Sequence, residues 1–181
     1  MEQLRTGCMG MMQEFGGKRN LCLPLQRLLV EHRSLGEKMN QLANLAKELK
    51  RSSEPVSGQF LKELYELGSA FRTELEHHSK REEEGLFPMM VKYIGREMGP
   101  MAVMEHEHRQ AKVNIALFMH VLEKEKPAEH DEIMAALTHL QMSVELLIQH
   151  FFKEEKVLFP MAEQLLSHEE KEQLQEIFQR L

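Results

Sequence analysis

The chain has 181 residues, 42% of them hydrophobic and 29% charged, which suits a globular protein able to bury a core within one domain. A formal net charge of −6 argues against nucleic acid or anionic lipid as the main partner. No run is long and apolar enough to cross a bilayer and no signal-peptide pattern opens the chain; with only Cys8 and Cys22, a disulfide framework is ruled out, so a reducing, cytoplasmic setting is expected.

Residues 1–20 mix four Gly with scattered Met and show no period, so a loosely ordered N-terminal extension is expected, with Cys8 an idle exposed thiol. From Pro24, a residue suited to a first helical turn, apolar positions recur at spacings of three and four: Leu25, Leu28, His32, Leu35, Met39, Leu42, Leu45, Leu49. The stretch from Arg51 to Gly58 breaks the pattern. A second helix carries Phe60, Leu64, Leu67, Phe71, Leu75, His78, Glu82, Leu86 and Met89, and breaks between Tyr93 and Pro100, where Gly95 and Gly99 cluster. The third reads Met101, Met104, His108, Ala111, Ile115, Phe118, Leu122 and ends at Lys126-Pro127. The fourth reads Ile133, Leu137, Leu140, Val144, Leu147, His150, Glu154, Leu158. Ser167-His168-Glu169-Glu170 has the form of a capping box and opens a short fifth helix with Leu174, Ile177 and Leu181 on one side.

Strand signals are almost absent. Four long amphipathic helices with short connections predict an all-α, antiparallel, up-down-up-down four-helix bundle over residues 21–166, with residues 167–181 as a C-terminal helix packed on it. Pro88 and Pro160 lack an N–H, which predicts a kink or stop in two of the helices.

One stretch occurs twice. His78-Ser79-Lys80-Arg81-Glu82-Glu83-Glu84-Gly85-Leu86-Phe87-Pro88 returns as His150-Phe151-Phe152-Lys153-Glu154-Glu155-Lys156-Val157-Leu158-Phe159-Pro160. Glu31-His32-Arg33 likewise recurs as Glu107-His108-Arg109, with gaps of 46 and 42 residues to the next His of each set. The chain reads as two copies of a helix pair, each giving one His from its first helix and His-x-x-x-Glu from its second. A His and a Glu four apart lie on one helical face, and all six fall on the apolar stripes. Burying such groups is costly unless they are paired or bound to metal. Counting residues from Glu54 and Pro127 in the loops places all four His at one level, nearer the end that holds the Gly95–Pro100 turn. Imidazole and carboxylate suit iron, zinc and manganese. Ferritin-like di-iron proteins use Glu-x-x-His instead.

These motifs resemble the hemerythrin-like, HHE cation-binding domains, whose signature is Glu-His in one helix and His-x-x-x-Glu-Glu-x-x-Leu-Phe-Pro in the next. The resemblance runs from Leu21 to about Pro160, and the arrangement is also similar to the hemerythrin-like part of proteins implicated in iron-centre repair and the nitrosative stress response. It implies a non-haem di-iron centre with His32, His78, His108 and His150 as terminal ligands and Glu82 and Glu154 as bridges. Oxygen-carrying hemerythrins have a fifth His one turn from the third-helix ligand; here Met104 and Lys112 hold those positions. That departure favours a centre that reacts with or senses oxygen, nitric oxide or peroxide over a reversible oxygen carrier. Catalysis and metal-dependent regulation of a protein partner both stay open, and a zinc or manganese site is the less favoured alternative, since zinc prefers closed four-ligand sites. Glu31, Glu83, Glu107 and Glu155 are expected beside the ligands as solvated residues or outer partners that orient imidazoles. His106 is a reserve ligand, and Phe71, Leu75, Leu147 and Phe151 are core residues that would also wall the site. His77, His120, His130, His139 and His168 are expected at the surface.

Overall fold

A computed structural model describes residues 21–51, 56–97, 99–124 and 129–181. Residues 1–20, including Cys8, and the loop positions Glu54 and Pro127 lie outside the described residues. Every regular element among the described residues is helical: α1 (Leu23–Arg51), α2 (Gly58–Arg81), α3 (Phe87–Ile94), α4 (Pro100–Leu122), α5 (His130–Lys153), α6 (Phe159–Leu165) and α7 (His168–Arg180).

The helix starts are set by local chemistry. Ser57 caps α2 by accepting from the Phe60 N–H. The capping box at α7 forms as expected, with the Ser167 hydroxyl accepting from Glu170 N–H and the Glu170 carboxylate accepting from Ser167 N–H. A second box, Glu129 with Glu132, starts α5; the sequence does not announce it, because Glu is an uncommon cap. Between α3 and α4 the chain turns through Gly95 (φ 73°) and Gly99 (φ 104°), conformations that a side chain would strain.

No stop occurs at the two prolines. α2 runs into α3 through a π-helical turn, Glu82–Leu86, and α5 runs into α6 through another, Glu154–Leu158. In each the first N–H after the wide turn reaches back five residues, Phe87 to the Glu82 carbonyl and Phe159 to that of Glu154. The extra residue resets the hydrogen-bond ladder, so Pro88 and Pro160 fall in the first turn of a new α segment, where a missing N–H costs little.

Among the long helices, α1 packs on α2 and α5, and α4 packs on α5 and α2. Lys38 pairs with Glu74 across α1 and α2 at 2.6 Å, and Arg72 reaches Glu123, at the end of α4, at 2.9 Å. The apolar interior is split in two. One cluster gathers Leu35, Leu42, Phe71, Ile115, Leu137 and their neighbours; the other gathers Leu25, Leu28, Leu86, Phe87, Met101 and Phe159, and α7 adds Leu174 and Phe178. Along each long helix the cut falls at the predicted polar residues: His32 lies between Leu28 and Leu35, and His108 between Met104 and Ala111.

The stripes shift to a neighbouring residue at three places, and Phe60 and Leu122 of the expected stripes are only half-buried. Ala46 is buried in place of the expected Leu45, and Gly68 in place of Leu67. On α7, Phe178 is buried in place of Ile177 and Leu181. Close approach explains the second and third. A Cβ on Gly68 would stand 2.9 Å from both Met119 Sδ and Phe118 Cε1, and one on Gly85 would stand 2.9 Å from Phe178 Cε1. Gly85 thus lets α7 press onto the π turn that begins at Glu82. Gly85→Ala is expected to destabilise the fold by roughly 1–3 kcal/mol through overpacking; a urea midpoint equal to wild type would show that α7 is not seated there.

Candidate metal centre

Six buried polar side chains meet in the gap between the two apolar clusters. α1 supplies His32, α2 His78, α4 His108 and α5 His150, while Glu82 and Glu154 open the two π turns; none of the six is more than 4% exposed. They form two groups of four. His32, His78, Glu82 and Glu154 bring ligand atoms within 4.8 Å of one another, and so do Glu82, His108, His150 and Glu154. Glu82 and Glu154 belong to both.

The i, i+4 spacing sets each carboxylate one turn from its own imidazole: His78 Nε2 is 3.2 Å from Glu82 and His150 Nε2 is 3.1 Å from Glu154. Cross-contacts join the halves, with His32 Nε2 3.3 Å from Glu154 and His108 Nε2 3.4 Å from Glu82. An outer ring of carboxylates grips the other nitrogen of every imidazole. His32 Nδ1 bonds Glu155 at 2.9 Å, His78 Nδ1 bonds Glu31 at 3.1 Å, His108 Nδ1 bonds Glu83 at 2.7 Å and His150 Nδ1 bonds Glu107 at 2.9 Å. Each of these Glu adjoins one of the six central residues in sequence, yet each serves an imidazole on another helix. Cations hold the outer ring in turn: Arg81 lies 3.1 Å from Glu31, Lys112 binds both oxygens of Glu83, and Lys153 binds Glu107.

An ionised carboxylate only accepts, so each Nδ1 carries a proton, and a neutral ring then turns the lone pair of its Nε2 inward. The Nε2 atoms of His108 and His150 stand 2.8 Å apart. His32 Nε2, His78 Nε2 and all four oxygens of Glu82 and Glu154 are buried without a hydrogen-bond partner; their neighbours lie at ion-pair distance but off hydrogen-bonding angle. Lone pairs and carboxylates converging without donors need cations between them. The donor set of four imidazoles and two carboxylates fits transition-metal ions, and the carboxylate–imidazole pairs are the outer support such ligands ordinarily have.

The sequence matches the hemerythrin HHE cation binding domain over residues 23–177. The chain belongs to this family. It is also 33% identical over 97 residues to the iron-sulfur cluster repair protein YtfE of Salmonella paratyphi B, of Salmonella newport and of Salmonella heidelberg. That match covers 52% of this chain and 44% of each relative, so the chain spans less than half the length of these curated relatives.

Around the hemerythrin-like centre the rings of Phe151 and Phe159 both stack on His32, at centroid distances of 4.0 and 5.4 Å, and Phe87 lies 5.2 Å from His108. Phe151 stands near the site as expected; Phe87 and Phe159 are additions, though the repeated Leu-Phe-Pro carries their signal. Phe71, Leu75 and Leu147 are buried in the adjoining cluster. His106 is exposed and stays apart from the six. His77, His120, His130 and His168 are exposed as well, whereas His139 is half-buried and bonds Asn114. Met104 is buried in the apolar cluster, and Lys112 points outward to Glu83, so neither supplies the place of a fifth His. Of the outer cations, Arg81 and Lys153 answer each other in the repeated motif, though the repeat gives them no role, and Lys112 has no signal in the sequence.

Without metal, protons do the balancing. Burial alone would pull His78 down, but the charge of Glu82 and the hydrogen bond to Glu31 push it up to about 10. Burial likewise opposes the charge on His150, and Glu154 and Glu107 push it up to about 9. Groups raised from an ordinary 6.5 stabilise the fold fully below that pH and lose their contribution as pH rises through their folded values. Metal-free protein is therefore expected to lose stability between about pH 6.5 and pH 9–10. Thermal melts of chelator-treated protein check this; equal midpoints at both ends of that window would contradict it.

Proposed function

We propose that the six buried residues hold two iron ions. His32 with His78 and His108 with His150 would be the terminal pairs, and Glu82 and Glu154 would be shared between the ions. The observation that carries this reading is the pair of four-donor groups with two carboxylates in common. Zinc and manganese are less favoured: zinc is best served by a closed four-ligand site, and the named relatives work on iron-containing clusters.

The supporting frame is an antiparallel, up-down-up-down bundle of α1, α2, α4 and α5 within residues 21–166, with residues 167–181 as a helix packed on it and residues 1–20 as an extension. In its favour, Glu31 meets His78 and Arg81 while Lys38 meets Glu74, so numbers fall along α1 as they rise along α2.

The centre would bind or react with a small molecule such as oxygen, nitric oxide or peroxide, in the response to oxidative or nitrosative stress or in the repair of iron centres. Two irons bridged by carboxylates can share electrons with one bound ligand. The chain's own part is positional. Glu31, Glu83, Glu107 and Glu155 fix the imidazoles with Nε2 inward, and Phe87, Phe151 and Phe159 keep the surroundings apolar and limit water. The absence of a fifth His beside His108 supports a reactive centre over an oxygen carrier. We place the protein in the cytoplasm, with no membrane or nucleic-acid partner and with a redox or protein partner still to be identified; no described helix is long and apolar enough to cross a membrane.

A second reading, a regulatory iron or oxygen sensor without turnover, is favoured by one network. Arg27 joins the Phe178 carbonyl of α7 to Glu31, and Glu31 bonds His78, so a shift at the centre reaches the C-terminal helix. Turnover of peroxide or nitric oxide by the isolated protein selects the first reading; a partner lost on iron removal, without turnover, selects the second.

Metal analysis with an optical spectrum is expected to give two irons per chain and near-ultraviolet absorption. Glu82→Ala and Glu154→Ala should each lower the iron content to one or none, while His106→Ala leaves it unchanged. Wild-type iron content and spectrum in both Glu variants would refute the shared-carboxylate centre.

A further inference from the structure

The two halves of the centre are copies, but their outer walls are not. The row Leu75, Ser79, Glu83 runs at i, i+4 spacing from α2 into its π turn, beside α4; its counterpart from α5 into the other π turn is Leu147, Phe151, Glu155, beside α1. At the middle position one half has a buried Ser, 3% exposed, and the other a Phe whose ring lies flat on His32, 4.0 Å away at 16°. The outermost position differs in the opposite sense. Lys112, one turn beyond His108, clamps Glu83 with contacts of 2.6 and 2.7 Å across the α2–α4 seam. The residue one turn beyond His32 is Gly36, and among the described residues no Lys or Arg stands within ion-pair distance of Glu155.

So one seam is filled by an aromatic ring and has no strap, and the other has a small residue under a strap. The clefts share the same division. A cleft of about 300 Å³ lined by Glu83, Arg96, Arg109 and Lys112 and another of about 160 Å³ lined by Leu75, Glu76, Lys112 and Ile115 both have Lys112 in their wall. On the α1–α5 side the cleft of about 370 Å³ reaches no further toward the centre than Val144, short of Leu147 and Phe151. The larger cleft of about 770 Å³ is lined by Glu31, His77 and Arg81 and by none of the six central residues.

We propose that a small molecule reaches the metal pair between α2 and α4, through a passage floored by Ser79 and strapped by the Lys112–Glu83 ion pair, while Phe151 closes the matching passage between α1 and α5. An exposed ion pair of this kind is worth about 0–1 kcal/mol, so it opens readily. A passage one small side chain wide admits diatomic molecules and peroxide and rejects larger reductants. Lys112 is in this sense a gating residue, and Glu83 keeps its own bond to the imidazole of His108 when the strap opens.

The inference rests on the two-iron reading, and the test separates the two. Iron content and optical spectrum are measured first on wild type, Lys112→Ala, Ser79→Leu and an Arg109→Ala control. Failure of all four to bind two irons sinks the proposed centre itself. With loaded, reduced protein, the association rate of nitric oxide, an uncharged probe, is monitored by stopped-flow absorbance. Lys112→Ala should raise that rate several-fold with the spectrum unchanged, Arg109→Ala should leave it alone, and Ser79→Leu should lower it several-fold. Ser79→Leu with Lys112→Ala should be as slow as Ser79→Leu alone. Should Ser79→Leu fail to fold, Ser79→Val serves the same purpose with less added volume. Loaded variants that all associate at the wild-type rate would overturn the route, as would a faster rate in Arg109→Ala equal to that in Lys112→Ala.

Discussion

The charge balance around Glu82 and Glu154 governs the rest of the molecule. These two carboxylates are wholly buried, belong to both donor groups, and have no hydrogen-bond donor on any of their four oxygens. Taking an ionised carboxylate out of water costs on the order of several kcal/mol even after relaxation. Only positive charge placed between them offsets that cost. Imidazolium protons can supply it in metal-free protein; metal ions supply it without forcing the His108 and His150 nitrogens together.

Much of the architecture comes from keeping that polar layer in place. It cuts the interior into two apolar clusters, so each long helix must carry its polar residue at the right height in an otherwise apolar stripe. The π turns begin at the two Glu themselves. By adding a residue to the turn they let the chain pass Pro88 and Pro160 as helix while the preceding His-x-x-x-Glu keeps its four-residue spacing. Wide turns of this kind occur often at functional sites; here the added residue uncouples the segment that carries His and Glu from the proline-led one.

The outer carboxylates show how a duplicated sequence becomes an interlocked structure. Glu31 and Glu107 each serve the other helix of their own repeat, whereas Glu83 and Glu155 each serve an imidazole of the opposite repeat. Neither half can orient all its imidazoles alone. The halves diverge outside the six central residues, at Ser79 against Phe151 and Gly36 against Lys112, and α7 leans on Gly85 but not on Val157 at the corresponding position of the other turn.

The sequence by itself determined the helical class, the helix cores to within a residue or two, and the six polar positions. Those signals are periodic or repeated, and periodicity survives in one dimension. Leu45 giving way to Ala46 and Leu67 to Gly68 mark its limit, because which of two adjacent residues turns inward depends on the neighbouring helix. The tertiary structure alone decided which outer carboxylate holds which imidazole, that helix continues past both prolines, and that Phe178 seats α7. Each of these depends on a distance across helices, Arg27 to Phe178 or Lys112 to Glu83, and a long-range contact leaves no pattern in the order of residues along either of the helices it joins.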